Sequence, residues 1–80
     1  MKADITVAPE LWSSSVLPEG MIEAWLIPAG SYVESGKPVA KVRIEDALHE
    51  IIAPASGWLR TSLAAASVVD PGTVIGRIDS

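Results

Sequence analysis

The chain has no cysteine and no phenylalanine, a single tyrosine, a single histidine, and six basic residues against ten acidic ones in 80 residues. Without thiols, disulfides and thiolate metal sites are excluded, and a reducing compartment, the cytoplasm, is the expected setting. With a formal charge of −4 and no Lys/Arg cluster, the chain lacks the concentrated positive charge that phosphate neutralisation needs, so no nucleic-acid partner is expected. No apolar run approaches the ~18 residues of a membrane span. Met1-Lys2-Ala3-Asp4 leads into polar alternation, not into the apolar stretch of a signal peptide. Neither phosphate-binding fingerprint, GxGxxG or GxxxxGK[ST], occurs. What remains is an apolar fraction of 49% in a chain near the lower size limit for folding alone, read as one domain over residues 1–80.

Apolar residues fall in short alternating blocks: Ile5-Thr6-Val7, Met21 to Ile27, Val39 to Ile44, Ile51-Ile52, Gly57 to Leu63 and Thr73 to Ile78. Such blocks predict strands. In the third, Lys41 and Arg43 alternate with Val42 and Ile44, so a period of two puts the cations on one face and the aliphatic groups on the other. Turn chemistry separates the blocks, at Pro18-Glu19-Gly20, Pro28-Ala29-Gly30, Gly36-Lys37-Pro38, Pro54-Ala55-Ser56-Gly57 and Asp70-Pro71-Gly72. Gly36 and Gly72 sit where a turn of positive φ takes glycine at little steric cost. Two breaker-free stretches, Glu45 to Glu50 and Leu63 to Ser67, are too short for stable helices and are read as non-helical.

The chain also repeats itself. Ser31 to Val42 and Ser67 to Ile78 match at a shift of 36 in the order Ser, Val, acid, Gly, β-branched aliphatic, small, cation, aliphatic. Upstream, Gly20-Met21-Ile22-Glu23 answers Gly57-Trp58-Leu59-Arg60 one residue out of phase, as if one half carries an insertion. Two such halves cannot each bury a face alone, but intertwined about a pseudo-twofold axis they share one core.

From Pro18 onward the chain resembles the biotinyl/lipoyl attachment domain family. Glu19-Gly20-Met21-Ile22-Glu23-Ala24-Trp25-Leu26-Ile27 and the following Gly30 to Gly36 are similar to the lipoyl-domain pattern EGxIxxWLVxxGDxVxxG of 2-oxoacid dehydrogenase acyltransferases. Val39 to Ala47 is similar to LAxVETDKA, Glu50 to Gly57 to EIxAPxSG, and Val69 to Ile78 to VxxGxVIxxI. The resemblance covers about three quarters of the chain in one register. It implies an all-β barrel-sandwich hybrid, a flattened β-barrel of two four-stranded sheets with pseudo-twofold symmetry.

The departure lies where the family's carriers bear their prosthetic group. Their acceptor lysine stands at a hairpin tip eight residues before the proline of the AP pair, and counting back eight from Pro54 gives Asp46, followed by Ala47 as in DKA. A carboxylate supplies no nitrogen for the lipoyl or biotinyl amide, so no cofactor is expected. Charges nearby are altered too: the ExVExDK run has become Lys41-Val42-Arg43-Ile44-Glu45-Asp46. Complementary potentials steer partners and penalise wrong ones, so inversion predicts changed partners, although drift on a solvated edge explains it as simply.

Other chemistry is thin. Lys37 and Lys41 are the remaining lysines beyond Lys2; as displaced acceptors they define the alternative, a true swinging-arm carrier, and otherwise they are solubilising surface groups. His49 lies three residues past Asp46 among Glu45 and Glu50, a pattern that fits a weak metal site or a general base less well than solvated hairpin side chains, so no metal is expected. Ser13-Ser14-Ser15 lacks a base partner and reads as a loop. Trp12 precedes it in the loop that, in the family, lies beside the tip; exposed, it is a binding anchor, and folded back, it completes a small core. Trp25 and Trp58 are expected in the core. The reading is a non-enzymatic, free-standing interaction or regulatory module for a protein partner, a carrier-dependent complex or a ligase, contacted through Trp12, Arg43, Glu45, Asp46 and His49.

Overall fold

The computed structural model describes residues 2–13 and 19–80. Eight strands form: β1 Lys2–Thr6, β2 Gly20–Trp25, β3 Tyr32–Val33, β4 Pro38–Ile44, β5 Ala47–Ile52, β6 Gly57–Thr61, β7 Val68–Val69 and β8 Val74–Asp79. They make two antiparallel four-stranded sheets, ordered β1-β8-β6-β3 and β5-β4-β2-β7. Each sheet draws strands from both halves of the sequence, as an intertwined repeat requires. The expected all-β sandwich of two four-stranded sheets is the observed architecture.

The internal symmetry extends to individual hydrogen bonds. The Leu59 and Ile22 amides donate to the Ser31 and Ser67 carbonyls at 2.9 and 3.0 Å, and the Gly30 and Ala66 amides donate to the Leu59 and Ile22 carbonyls at 2.7 Å each. The one-residue phase error has a location. In the β2–β4 ladder the register slips between Ile22 and Ala24, so Glu23 is an extra residue, whereas the matching β6–β8 ladder runs without a slip. A β-bulge of this kind absorbs one insertion at little cost to the rest of the sheet. Equivalent slips recur in both halves, at Val39 in the β4–β5 ladder and Ile75 in the β1–β8 ladder.

The core is aliphatic. Ile5, Val7, Ile22, Val39, Val42, Leu59, Val69, Ile75 and Ile78 are fully buried; among the described residues no polar or charged residue is buried, and Trp12 is the one buried aromatic. Inward residues alternate with outward Lys41 and Arg43 on β4, as the period of two requires. The Glu23 bulge shifts that parity in β2, and Trp25 reaches across the sandwich: its Nε1 donates to the Leu63 carbonyl at 2.9 Å, and its ring tip lies over Gly76.

One expectation needs correction, and two features go beyond the predicted strands. Trp58 is not in the core; it stands 48% exposed on the outer face of its sheet, because Leu59 takes the inward position and alternation sends its neighbour out. The arm after the hairpin tip begins at Ala47, so residues 47–50 are strand, paired with Lys41, Val42, Arg43 and Ile44 despite their polar composition. Tyr32–Val33 and Val68–Val69 are two-residue strands too short to register as apolar blocks. Both breaker-free stretches are non-helical, and the helical structure among the described residues is a single 3-10 turn, Pro9–Trp12, started by a proline at its first position.

Two glycine positions yield tests. A Cβ at Gly57 would run into the Asp79 carbonyl oxygen and lie 2.8 Å from Ile78 Cγ2, so Gly57→Ala should push β6 from β8 and cost about 1–3 kcal/mol in urea unfolding. Gly30 adopts φ 89°, while its repeat equivalent Ala66 is held at φ 72°. A left-handed alanine costs about 1–2 kcal/mol, partly offset by the greater unfolded-state freedom of glycine. Ala66→Gly should therefore stabilise the protein by about 0.5–1 kcal/mol in the same assay.

Candidate functional site

The β4–β5 ladder closes with Ile44 opposite Ala47, which leaves Glu45 and Asp46 as a two-residue loop. Glu45 takes φ 53°, the left-handed first position that tight hairpins demand. Both loop side chains are exposed. Asp46 therefore sits at the apex of the hairpin joining the two sequence halves, the place the motif count assigns to it.

Beneath the loop the hairpin is braced. Gly20 starts β2 against its root, and a Cβ there would lie 3.1 Å from Ile44 Cγ1 and 3.2 Å from both the Arg43 carbonyl oxygen and Trp12 Cζ2. Trp12 is 8% exposed, and its Nε1 is buried without a hydrogen-bond partner. Of the two roles open to it, folding back onto the core is the one realised; Trp12 is not an exposed anchor. The physical reason is the 3-10 turn, which tucks the indole under the hairpin while Pro9 and Glu10 face out. Ser14 and Ser15 lie outside the described residues.

The remaining candidates divide between faces. Arg43 points outward and its Nε donates to Glu23 Oε1 at 2.9 Å, so the bulged residue of β2 supplies its counter-charge. Lys41 is opposite Glu50, and Arg43 opposite Leu48. His49 pairs with Val42, one of the fully buried residues, and is half-buried, which places it on the other face of β5 from Glu50. Adjacency in sequence thus does not become adjacency in space. Among the described residues no group of three His, Asp or Glu side chains is placed to hold a metal ion. Lys37 lies in the turn before β4, at the end of that strand remote from Asp46; seven residues of β4 intervene, about 23 Å at ~3.3 Å per residue. Neither Lys37 nor Lys41 stands at an apex.

Sequence reasoning missed one cluster. Tyr32 and Trp58 meet edge to face with centroids 5.2 Å apart and planes at 78°, beside Arg60, Arg77 and Asp79 on the same outer face. Its signal was present in the alternations Trp58-Leu59-Arg60 and Arg77-Ile78-Asp79, but the pairing of the two strands that unites them is a tertiary fact.

No protein-family model matches the sequence, and no curated protein matches it. Among solved structures, the solution structure of the lipoyl domain of the 2-oxoglutarate dehydrogenase complex from Azotobacter vinelandii superposes with a TM-score of 0.70 over 95% of this chain and 96% of that one, at 17% identity. The chain thus has the fold of a lipoyl domain over nearly its whole length. No helix among the described residues is long and apolar enough to cross a membrane.

If Trp12 is a core residue, Trp12→Ala should cost about 3–5 kcal/mol in urea unfolding, whereas truncating an exposed side chain stays within about 0.5 kcal/mol.

Proposed function

We propose that this protein is a lipoyl-fold interaction module that bears no prosthetic arm at its hairpin apex and serves a protein partner, a carrier-using enzyme complex, without catalysing a reaction. The observation that carries the reading is the two-residue loop Glu45-Asp46, set where the family's motif places its acceptor lysine. Attachment of lipoate or biotin needs an amine that attacks an acyl adenylate. A carboxylate is an acceptor of hydrogen bonds and has no nitrogen to acylate. The two lysines that could replace it lie along β4 or in the turn before it, and neither is at the apex of the β4–β5 hairpin. The lipoyl domain with which the chain superposes belongs to a 2-oxoglutarate dehydrogenase complex, which supports an assembly of that kind as the setting. In such a setting Glu45 and Asp46 present negative charge, and Arg43 lies next to them on the outer face of its sheet. These groups select partners by charge complementarity. His49, half-buried on the opposite face, contributes to the shape of the hairpin.

Co-expression with a lipoate ligase or a biotin ligase, followed by intact mass measurement, should return the unmodified mass. Addition of one lipoyl or biotinyl group, mapped to Lys37 or Lys41, would establish the swinging-arm carrier instead. Asp46→Lys restores the amine, so modification of that variant alone would assign the loss of carrier function to this one side chain. Calorimetric titration into purified 2-oxoacid dehydrogenase complexes should show association; complete absence of heat and of cross-links would remove the partner reading.

A further inference from the structure

The outer face of the β1-β8-β6-β3 sheet carries features independent of the hairpin apex. Directly paired residues share a face, so the ladder lays out two rows. One runs Lys2, Asp79, Trp58, Tyr32; the next runs Asp4, Arg77, Arg60. Tyr32 and Trp58 are 56% and 48% exposed, an uncommon loss for two of the four aromatic residues of a small chain. Arg60 and Arg77 stand directly opposite each other, an arrangement of like charges that destabilises a sheet unless something compensates. The compensation is Asp79. Its Oδ1 accepts from Arg77 Nε at 3.0 Å and its Oδ2 accepts from Arg60 Nε at 3.2 Å. The Arg77 bond, against some desolvation and aided by the Arg60 bond, lowers the Asp79 pKa and keeps it ionised.

One carboxylate between two guanidinium groups leaves a positive charge over. Lys2 and Asp4 flank the group from β1 and cancel each other, so the excess stays. These five groups together carry one net positive charge, on a chain whose total is −4. Both ion pairs run through Nε, and a guanidinium so held still has Nη donors in a planar fork suited to a second carboxylate. Beyond Tyr32 the surface sinks into a hollow of about 410 Å³ lined by Leu26, Ile27, Tyr32, Val33 and Pro38, with Glu34 and Lys37. Cations and an aromatic wedge therefore share the face, and the hollow adjoins it at the Tyr32 edge.

We infer that this face is a second docking surface, one that binds an acidic peptide segment of a partner protein, with a carboxylate held between Arg60 and Arg77 and a neighbouring aliphatic or aromatic side chain seated against Trp58 and Tyr32. Charge complementarity chooses the occupant: a basic segment would be drawn to the rest of this acidic surface and repelled here, and a purely apolar one would leave the guanidinium pair unused. Exposed Trp, Tyr and Arg are the residue types that dominate binding energy at interfaces. The inference does not depend on the absence of a prosthetic arm, because it uses neither Glu45 nor Asp46 of the hairpin apex.

The test is a titration of the full chain with the acetylated, amidated peptide Glu-Pro-Leu-Glu-Phe-Glu, followed by ¹H–¹⁵N NMR. Saturable shifts should appear at the Trp58 indole, the Arg60 and Arg77 Nε–H groups and the Tyr32 amide. The peptide with Gln for every Glu should bind at least about tenfold more weakly. Arg60→Gln with Arg77→Gln should weaken the Glu peptide by a similar factor, and Trp58→Ala should do so while leaving the remaining spectrum, and hence the fold, intact. The inference is overturned by any of four results: no shifts at about 1 mM peptide, shifts confined to residues 45–49, equal binding of the Gln peptide, or acetate alone reproducing the shifts at the same concentration. Concentration-dependent self-association through this face would also overturn it, by making a second copy the occupant.

Discussion

The fold depends on a single aliphatic core that two halves of the chain must close together. Ile22, Val39 and Val42 come from one half, and Leu59, Ile75 and Ile78 from the other; all are at most 1% exposed. Because each sheet combines strands from both halves, neither half can bury its apolar face alone, and the hydrophobic gain arrives only when both are in place. Among the described residues no polar or charged residue is buried, so shape and backbone pairing carry most of the specification of the arrangement. Register therefore carries much of the specificity: a slip of one residue would send the aliphatic rows to solvent.

That constraint explains how the molecule tolerates its irregularities. The extra residue Glu23 is absorbed at a bulge and put to use, since its carboxylate meets Arg43. The same bulge lets Trp25 reach over Gly76, a position where the opposite half affords no space for a side chain. The strained Ala66 persists where its sibling is Gly30, because the surrounding pairings fix the turn whatever residue occupies it. Drift between two copies of a repeat is thus held within limits set by the shared core.

Function, by contrast, is placed on parts the core leaves free. The hairpin apex protrudes because β4 and β5 pair to the last residue before the loop, and the chemistry available there is decided by the two exposed loop side chains. The aromatic and arginine face lies on the outside of the other sheet, fixed by the same ladders. On the proposed reading, one rigid scaffold offers two separate surfaces, the hairpin apex with Glu45 and Asp46 and the sheet face with Arg60 and Arg77.

Much of this was legible in the residues. Turn chemistry, alternation and the 36-residue repeat determined six of the eight strands, the positive-φ glycines Gly36 and Gly72 and the two-half plan, and motif counting pointed to Asp46 in the hairpin loop, because each is a local pattern or a fixed spacing. Whether Trp12 faced water or core, that Trp58 faced out, where the phase error lay, and that Arg60, Arg77 and Asp79 form one group were decided only by the tertiary structure. Those facts turn on which strand lies beside which and on the parity set by bulges, and cross-sheet pairing between residues far apart in the chain leaves no mark within any short window of sequence.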